Sequence, residues 1–171
     1  MTDRDDQCGV NRGTPIKELR YSSVELDVLT VSRHYCSAFA CPVRHGWLMA
    51  ISTALSTFGH RRGPDIAVAI LSVVQTMRGT RQSVFRFNGP DCPACAAFVS
   101  SHERALMAAF RATARGRRED AAAHAAILLE GNDPKPFLRA LETLAAQVFA
   151  PVSEISAPLE QDSAPAPVGG R

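Results

Sequence analysis

Residues 47–58 read WLMAISTALSTF, and this stretch decides the fold class. Its apolar side chains recur at steps of three and four residues, the spacing of one face of an α-helix. Gly59 follows directly and is a typical helix stop. The stretch therefore predicts an amphipathic helix with an apolar face directed into a core. The side chains of that face are Trp47, Leu48, Ile51, Ala54, Leu55 and Phe58.

A second helix is predicted before this stretch. Ser22 and Glu25 have the spacing of a capping box, in which each residue satisfies a backbone N–H of the other. Pro42 disfavours helical backbone in the residue before it. We therefore expect a helix from Ser22 to about Phe39. Apolar residues also alternate within residues 24–28, so a strand is the alternative interpretation.

Residues 63–79 predict a third helix, with a proline in its first turn and apolar residues almost all round. Such a helix belongs in the middle of a bundle. Residues 80–90 then favour an extended connector, because β-favouring residues are followed at once by Asn-Gly-Pro. We expect Phe85 or Phe87 to hold this connector to the core.

Three more helices are predicted beyond the connector. Asp91 is placed to cap a helix with the apolar stripe Cys95, Phe98, Val99, His102, Leu106 and Phe110. A fifth helix is expected over residues 118–130, where Gly131 stops it, and a sixth begins near Asp133 and Pro134. The sequence thus predicts an all-α fold, a single-domain bundle of about six helices over residues 22–150.

Both ends of the chain are expected to be disordered. Residues 1–21 show no apolar periodicity, and residues 151–171 are dominated by Ser, Pro, Ala and Gly. The first residues lack the apolar region of a secretory signal, and no apolar run approaches the roughly 20 residues that a membrane span needs. We therefore expect a cytoplasmic protein without membrane association.

The charge pattern gives little indication of a polyanionic partner. The formal net charge is +2, and the 19 basic residues are almost all Arg, which we interpret as genomic base composition. So small a net charge does not attract nucleic acid strongly. Another protein is therefore the expected partner.

Four cysteines carry the chemistry that the sequence offers. Cys92 and Cys95 form a Cys-x-x-Cys pair, and Cys36 and Cys41 form a second close pair upstream. In a reducing compartment such pairs bind metal or perform thiol chemistry more often than they form permanent disulfides. Four thiolates predict one tetrahedral zinc site, with His34 as a substitute ligand. The fifth cysteine, Cys8, lies in the predicted leader and belongs to neither pair.

Other uses of these thiols remain open. An iron–sulfur cluster fits the same four ligands less well, since its cysteines usually lie in a tighter run. Cys92 and Cys95 alone predict a thiol-redox protein or sensor, because helix N-terminal N–H groups favour thiolate. Cys95 also fits the apolar stripe as an ordinary buried residue. No base or acid is tied by a motif to Cys92, so the sequence does not favour an enzyme.

A basic cluster at the turn between the fourth and fifth helices allows a DNA-binding regulator as a further hypothesis. It comprises Arg111, Arg115, Arg117 and Arg118. The following helix is rich in Ala and has few long polar side chains that could read base edges. The leading hypothesis is therefore a cytosolic, non-enzymatic regulatory or adaptor module that holds one zinc ion.

Overall fold

The computed structural model describes residues 13–150. Within that range there are six α-helices and two very short strands, so the predicted all-α helical bundle is confirmed. The helices are α1 (Ser23–Ala40), α2 (Gly46–Thr80), α3 (Pro93–Ala96), α4 (Ser101–Ala114), α5 (Arg118–Leu128) and α6 (Lys135–Val148). The strands are β1 (Thr14–Pro15) and β2 (Phe98–Val99). Cys8 and the predicted tail lie outside the described residues.

Helix α1 begins at the predicted capping box. The Ser22 hydroxyl accepts a hydrogen bond from the backbone N–H of Glu25, and the Glu25 carboxylate accepts one from the N–H of Ser22 at 2.7 Å. The helix ends at Ala40, one residue before Cys41 and next to a 3-10 turn at Pro42–Arg44. The alternative of a strand in this segment is therefore wrong.

Helix α2 is interrupted at Gly59, where the predicted stop lies. The backbone there has φ 79° and ψ 161°, a conformation that is essentially restricted to glycine. The two halves of α2 correspond to the second and third predicted helices. They also approach each other closely, because a Cβ added at Gly63 would lie 2.8 Å from the carbonyl oxygen of Ala54.

The core lies where α2 packs against α1 on one side and α6 on the other, with α4 and α5 completing the bundle. Ile66, Ile70 and Met77 on the second half of α2 are fully buried, as its apolar sequence predicts. Phe137 and Leu141 of α6 are also fully buried. None of the helices within residues 13–150 combines the length and apolar character that a membrane crossing requires.

The fourth predicted helix is wrong in its first part. The Cys-x-x-Cys pair belongs to the four-residue helix α3, and the chain then extends through β2 before α4 begins. A second capping box, formed by Ser100 and Glu103, fixes the start of α4. Since these two side chains satisfy the free N–H groups there, the helix begins at Ser101 rather than at Asp91.

The predicted disorder of the leader is also wrong for the part that the structure describes, residues 13–21. Strand β1 pairs antiparallel with β2, with Thr14 opposite Val99. Ile16, Leu19 and Tyr21 pack partly buried against the core. This segment is held by backbone pairing to a distant strand, which leaves no periodic signal in its own sequence.

Candidate functional site

The four predicted zinc ligands do not assemble in the described geometry. Among residues 13–150, no group of three or more His, Cys, Asp or Glu side chains is arranged to hold a metal ion. Cys36 faces the core from α1, whereas Cys41 lies beyond the end of that helix. The described residues therefore show no assembled zinc site, and zinc binding by these cysteines stays a prediction from sequence.

Cys36 is a poor thiolate. Its side chain is buried, and desolvation, with the nearby Glu103 carboxylate, raises its pKa to about 12. Metal ligands and nucleophiles both require the thiolate. At neutral pH Cys36 is therefore a neutral thiol that packs as a small apolar group.

The Cys-x-x-Cys pair also lies in a different setting from the predicted one. Cys92 is the half-buried residue that precedes α3, and Cys95 is buried within it. A helix of four residues aligns few peptide dipoles, so it stabilises a thiolate less than the long helix expected from the sequence. His34 is buried on α1, where desolvation, opposed by Asp91, lowers its pKa.

The main feature next to Cys36 is a half-open apolar cavity of about 400 Å³, the Cys36 cavity. Cys36 and Phe39 line it from α1, and Val74 and Met77 line it from α2. The connector, residues 81–92, supplies the remaining wall with Val84, Phe85 and Phe87. This volume and apolar lining fall within the range of small-molecule sites.

The connector that forms this wall is fixed to the bundle at its start. The Glu130 carboxylate, just after α5, accepts hydrogen bonds from the N–H groups of Gln82 at 2.8 Å and of Ser83. It also accepts one from the Ser83 hydroxyl. The Ser83 hydroxyl bond, followed by the Gln82 N–H bond, lowers the pKa of Glu130 to about 2. Near neutral pH the carboxylate is therefore charged, and it holds the connector through these hydrogen bonds.

Two contacts on α4 hold the rest of the connector. The N–H of Arg86 donates to Nδ1 of His102 at 2.9 Å, and the His102 ring packs against Phe85 at 5.8 Å between centroids. Further along, the N–H of Asn88 donates to the Glu103 carboxylate at 3.1 Å. Phe85 and Phe87 are thereby held against the core, as the sequence predicts.

Glu103 joins the connector to α1 through a buried ion pair. Nε of Arg33 lies 2.7 Å from Oε1 of Glu103, and the two side chains are only 4% and 1% exposed. The remaining nitrogens of Arg33 donate to the carbonyl oxygens of Ala96, at the end of α3, and of Phe98, in β2. A buried pair with these additional hydrogen bonds fixes the relative position of the segments around the cavity.

The open side of the Cys36 cavity carries positive charge. The Arg78 guanidinium lies over the Phe39 ring at 4.2 Å from its centroid, and it donates a hydrogen bond to the neutral side chain of Gln75. Arg81 is already paired with Glu130 at 3.1 Å. No acidic residue is found among the described residues that line this cavity. Its rim therefore favours an anionic group.

Sequence reasoning missed the residues that build this site. Nothing in the local sequence of Arg33, Glu103 and Asn88 indicates that these residues meet, and Asn88 is predicted only as part of the turn that ends the connector. One signal was available for Glu103, since Ser100 and Glu103 repeat the Ser-x-x-Glu spacing of the first capping box. A capping residue that also pairs with a distant arginine cannot be identified from local spacing.

The basic cluster is partly neutralised by neighbouring side chains. Nε of Arg111 lies 2.8 Å from Oε1 of Glu25, and its guanidinium lies over the Tyr21 ring. Arg117 pairs with Asp120 at 2.9 Å. These contacts favour a structural explanation for both arginines over DNA contact.

Comparison with known proteins gives no relative: no family model matches the chain, and neither a curated protein nor a solved structure matches it.

Proposed function

We propose that this chain is a cytosolic, non-enzymatic regulatory module that binds a small amphipathic anion in the Cys36 cavity. The observation that carries the proposal is an apolar cavity of about 400 Å³ whose described lining residues include Arg78 and no acidic residue. An apolar tail would displace water from the walls formed by Phe39, Met77 and Phe87. A carboxylate head would lie near Arg78.

The same surroundings argue against catalysis in this cavity. Cys36 is its potential nucleophile, and the burial that raises its pKa to about 12 keeps it protonated. His102 packs against Phe85 and is not among the described residues that line the cavity, and its Nδ1 already accepts a hydrogen bond from the Arg86 N–H. Ligand binding would instead restrain the connector, because Phe85 and Phe87 would lie between the ligand and the core.

Calorimetric titration of the purified chain with decanoate, below its micellar concentration, tests the proposal. Decanoate should bind with micromolar affinity, and decanol should bind more weakly because it lacks the charge. Ala40→Trp would fill the cavity from its rim and abolish binding. Ala123→Trp, on the exposed surface of α5, is the matched control and should bind normally. If neither decanoate nor decanol bound to the wild-type chain, the proposal would be overturned.

The charge at the rim has a separate test. Arg78→Gln should weaken decanoate binding to the level of decanol and leave decanol binding unchanged. Arg139→Gln, an equal charge change on the exposed side of α6, should alter neither. Equal loss of both compounds in Arg78→Gln would mean that Arg78 shapes the apolar wall rather than holding the anion.

Zinc binding by Cys36, Cys41, Cys92 and Cys95 is the second proposal, supported by the spacing of the cysteines alone. It predicts about one zinc ion per chain and no visible absorption, since a structural site holds a single colourless ion. Elemental analysis of protein purified without chelators measures this. Cys92→Ser should remove the zinc, whereas Cys8→Ser should retain it. A brown, iron-containing sample would instead favour the cluster alternative.

A further inference from the structure

A second cavity, the Tyr21 cavity, lies between the N-terminal segment, α4 and α5 and has a volume of about 390 Å³. Leu19 and Tyr21 line it from the segment before α1, and His124 lines it from α5. The residues that line it from α4 share one face of that helix. They are Ser101, Arg104, Ala105, Ala108 and Arg111. None of the described lining residues also lines the Cys36 cavity, so the two cavities are separate.

The Tyr21 cavity exists because α4 carries small side chains between two long ones. Ala105 and Ala108 leave space on the helix surface, and Arg104 and Arg111 lie on either side of them, seven residues apart. Seven residues of an α-helix rise by about 10 Å. The cavity therefore combines an apolar wall with an arginine towards each end, and its volume is that of a small-molecule site.

Neighbouring groups position both arginines. Arg111 lies over the Tyr21 ring at 5.3 Å from its centroid, and its Nε lies 2.8 Å from the Glu25 carboxylate. Arg104 donates a hydrogen bond of 3.3 Å to the hydroxyl of Thr14 in β1. Glu25 offsets the charge of Arg111, but a neutral hydroxyl does not offset that of Arg104. Since no acidic residue is among the described residues that line the cavity, positive charge prevails there.

The Tyr21 hydroxyl is a further donor in this cavity. Burial raises its pKa, and the charges of Arg111 and Arg104 oppose that rise. Both guanidinium groups therefore lie near enough to act on the same oxygen, and the phenol is protonated at neutral pH. The hydroxyl of Ser101 is a second neutral donor. An anion in the cavity would thus meet guanidinium and hydroxyl donors together.

We propose that the Tyr21 cavity binds a phosphate monoester that carries a small aromatic group. The phosphoryl oxygens accept hydrogen bonds from Arg104 and from the Tyr21 hydroxyl, because guanidinium groups donate to phosphate in pairs. The aromatic group packs on the apolar wall formed by Ala105 and Ala108. A phosphoryl group has more acceptor oxygens and more charge than a carboxylate, so it uses this set of donors more fully.

Calorimetric titration of the full chain with phenyl phosphate, in a phosphate-free buffer of low ionic strength, tests the proposal. Phenyl phosphate should bind with a dissociation constant on the order of 100 μM. Phenol and inorganic phosphate should each bind at least about tenfold more weakly, because each lacks half of the contacts. Saturation with decanoate should leave phenyl phosphate binding unchanged, since the two cavities are separate. Displacement by decanoate, or no binding of phenyl phosphate at millimolar concentrations, would overturn the proposal.

Charge variants locate the anion. Arg104→Gln should weaken phenyl phosphate binding by at least about tenfold. Arg118→Gln makes the same charge change at the exposed start of α5, outside the cavity lining, and should bind normally. Thr14→Val removes the hydrogen bond to Arg104 but keeps its charge, so it should retain most of the affinity. Equal weakening in Arg104→Gln and Thr14→Val would mean that Arg104 anchors the N-terminal segment rather than the anion.

The apolar wall has its own pair of variants. Ala108→Phe fills the space between the two arginines and should abolish binding, with an unchanged helical circular dichroism spectrum. Ala126→Phe adds the same ring on the exposed surface of α5 and should bind like the wild type. Wild-type affinity in Ala108→Phe would place the ligand outside the Tyr21 cavity and overturn the proposal.

Discussion

Arg33 on α1 and Glu103 on α4 are seventy positions apart in the chain, yet Nε of the arginine lies 2.7 Å from the carboxylate in the interior of the bundle. The carboxylate simultaneously caps α4 by accepting the N–H of Ser100 at 2.7 Å. It also accepts the N–H of Asn88 in the connector. One side chain thus fixes a helix start, a distant helix and the wall of the Cys36 cavity.

Removing one member of this pair should be severely destabilising. Glu103→Gln leaves the Arg33 charge buried without its counter-ion, and we expect the free energy of unfolding to fall by about 3–5 kcal/mol. Urea denaturation followed by circular dichroism measures the loss. Asp120→Asn breaks the exposed pair with Arg117 and should cost less than about 1 kcal/mol. A similar small loss in both variants would mean that the buried pair contributes little to stability.

The protein should lose stability on mild acidification. Burial, with the charges of Arg81 and Arg86, lowers the pKa of His102 below its ordinary value of 6.5. The unfolded chain therefore takes up protons first as the pH falls through about 6.5, and the free energy of unfolding decreases. Burial lowers the pKa of His34 in the same direction.

The contribution of His102 can be isolated by comparing urea midpoints at about pH 7.5 and about pH 5.5. His102→Asn retains an acceptor near the N–H of Arg86 but does not titrate. We expect a smaller loss of stability between the two pH values in this variant than in the wild type. An equal loss would show that His102 does not contribute to the pH dependence.

The interruption of α2 should require glycine. Gly59 occupies a backbone region that side chains rarely adopt, so Gly59→Ala should cost about 1–3 kcal/mol although the added methyl group meets no atom. Gly79 lies near the end of the same helix, also with open space around it, so Gly79→Ala should be neutral or stabilising by up to about 1 kcal/mol. Thermal unfolding compares the two. Equal effects would contradict a special role for Gly59.

Cysteine reactivity should follow burial on α1. At neutral pH we expect Cys36, buried and with its pKa raised to about 12, to react with iodoacetamide far more slowly than the half-buried Cys41. Peptide mass spectrometry over a time course distinguishes the two sites. In denaturant both should react at similar rates. Rapid labelling of Cys36 in the folded chain would contradict the closed position of its thiol.

The elements that could be predicted from the sequence are those with local chemical causes. The capping box at Ser22 begins α1, Gly59 interrupts α2, and Phe85 and Phe87 hold the connector. The capping box and the glycine stop each depend on residues only a few positions apart, so spacing alone is informative. For the connector, the apolar character of Phe85 and Phe87 predicts burial but not the partners that hold it. Ser100 carries the same local signal for the start of α4, but the apolar stripe through Cys95 favours an earlier start, and the structure shows that the capping box decides.

The features that could not be predicted depend on which distant segments meet in the folded chain. The periodicity around Trp47 predicts an apolar face but cannot say whether the same chain covers it, and the described fold leaves part of that face open. Likewise, Cys36 and Cys41 are close in sequence, but α1 directs the first into the core and ends before the second. Spacing therefore could not establish whether the four cysteines meet, and it gave no indication of the cavity.

The pairing of β1 with β2 has a consequence for the order in which the molecule assembles. Thr14 meets Val99 only when the whole intervening chain has been brought together. This contact therefore closes a very long loop, and the pairing of two short strands stabilises it only slightly. Contacts of such high sequence separation gain little until the helices have packed. We expect the N-terminal segment to dock last during folding, and the amide of Ile16, bonded to Ala97, to exchange with solvent before those of α2.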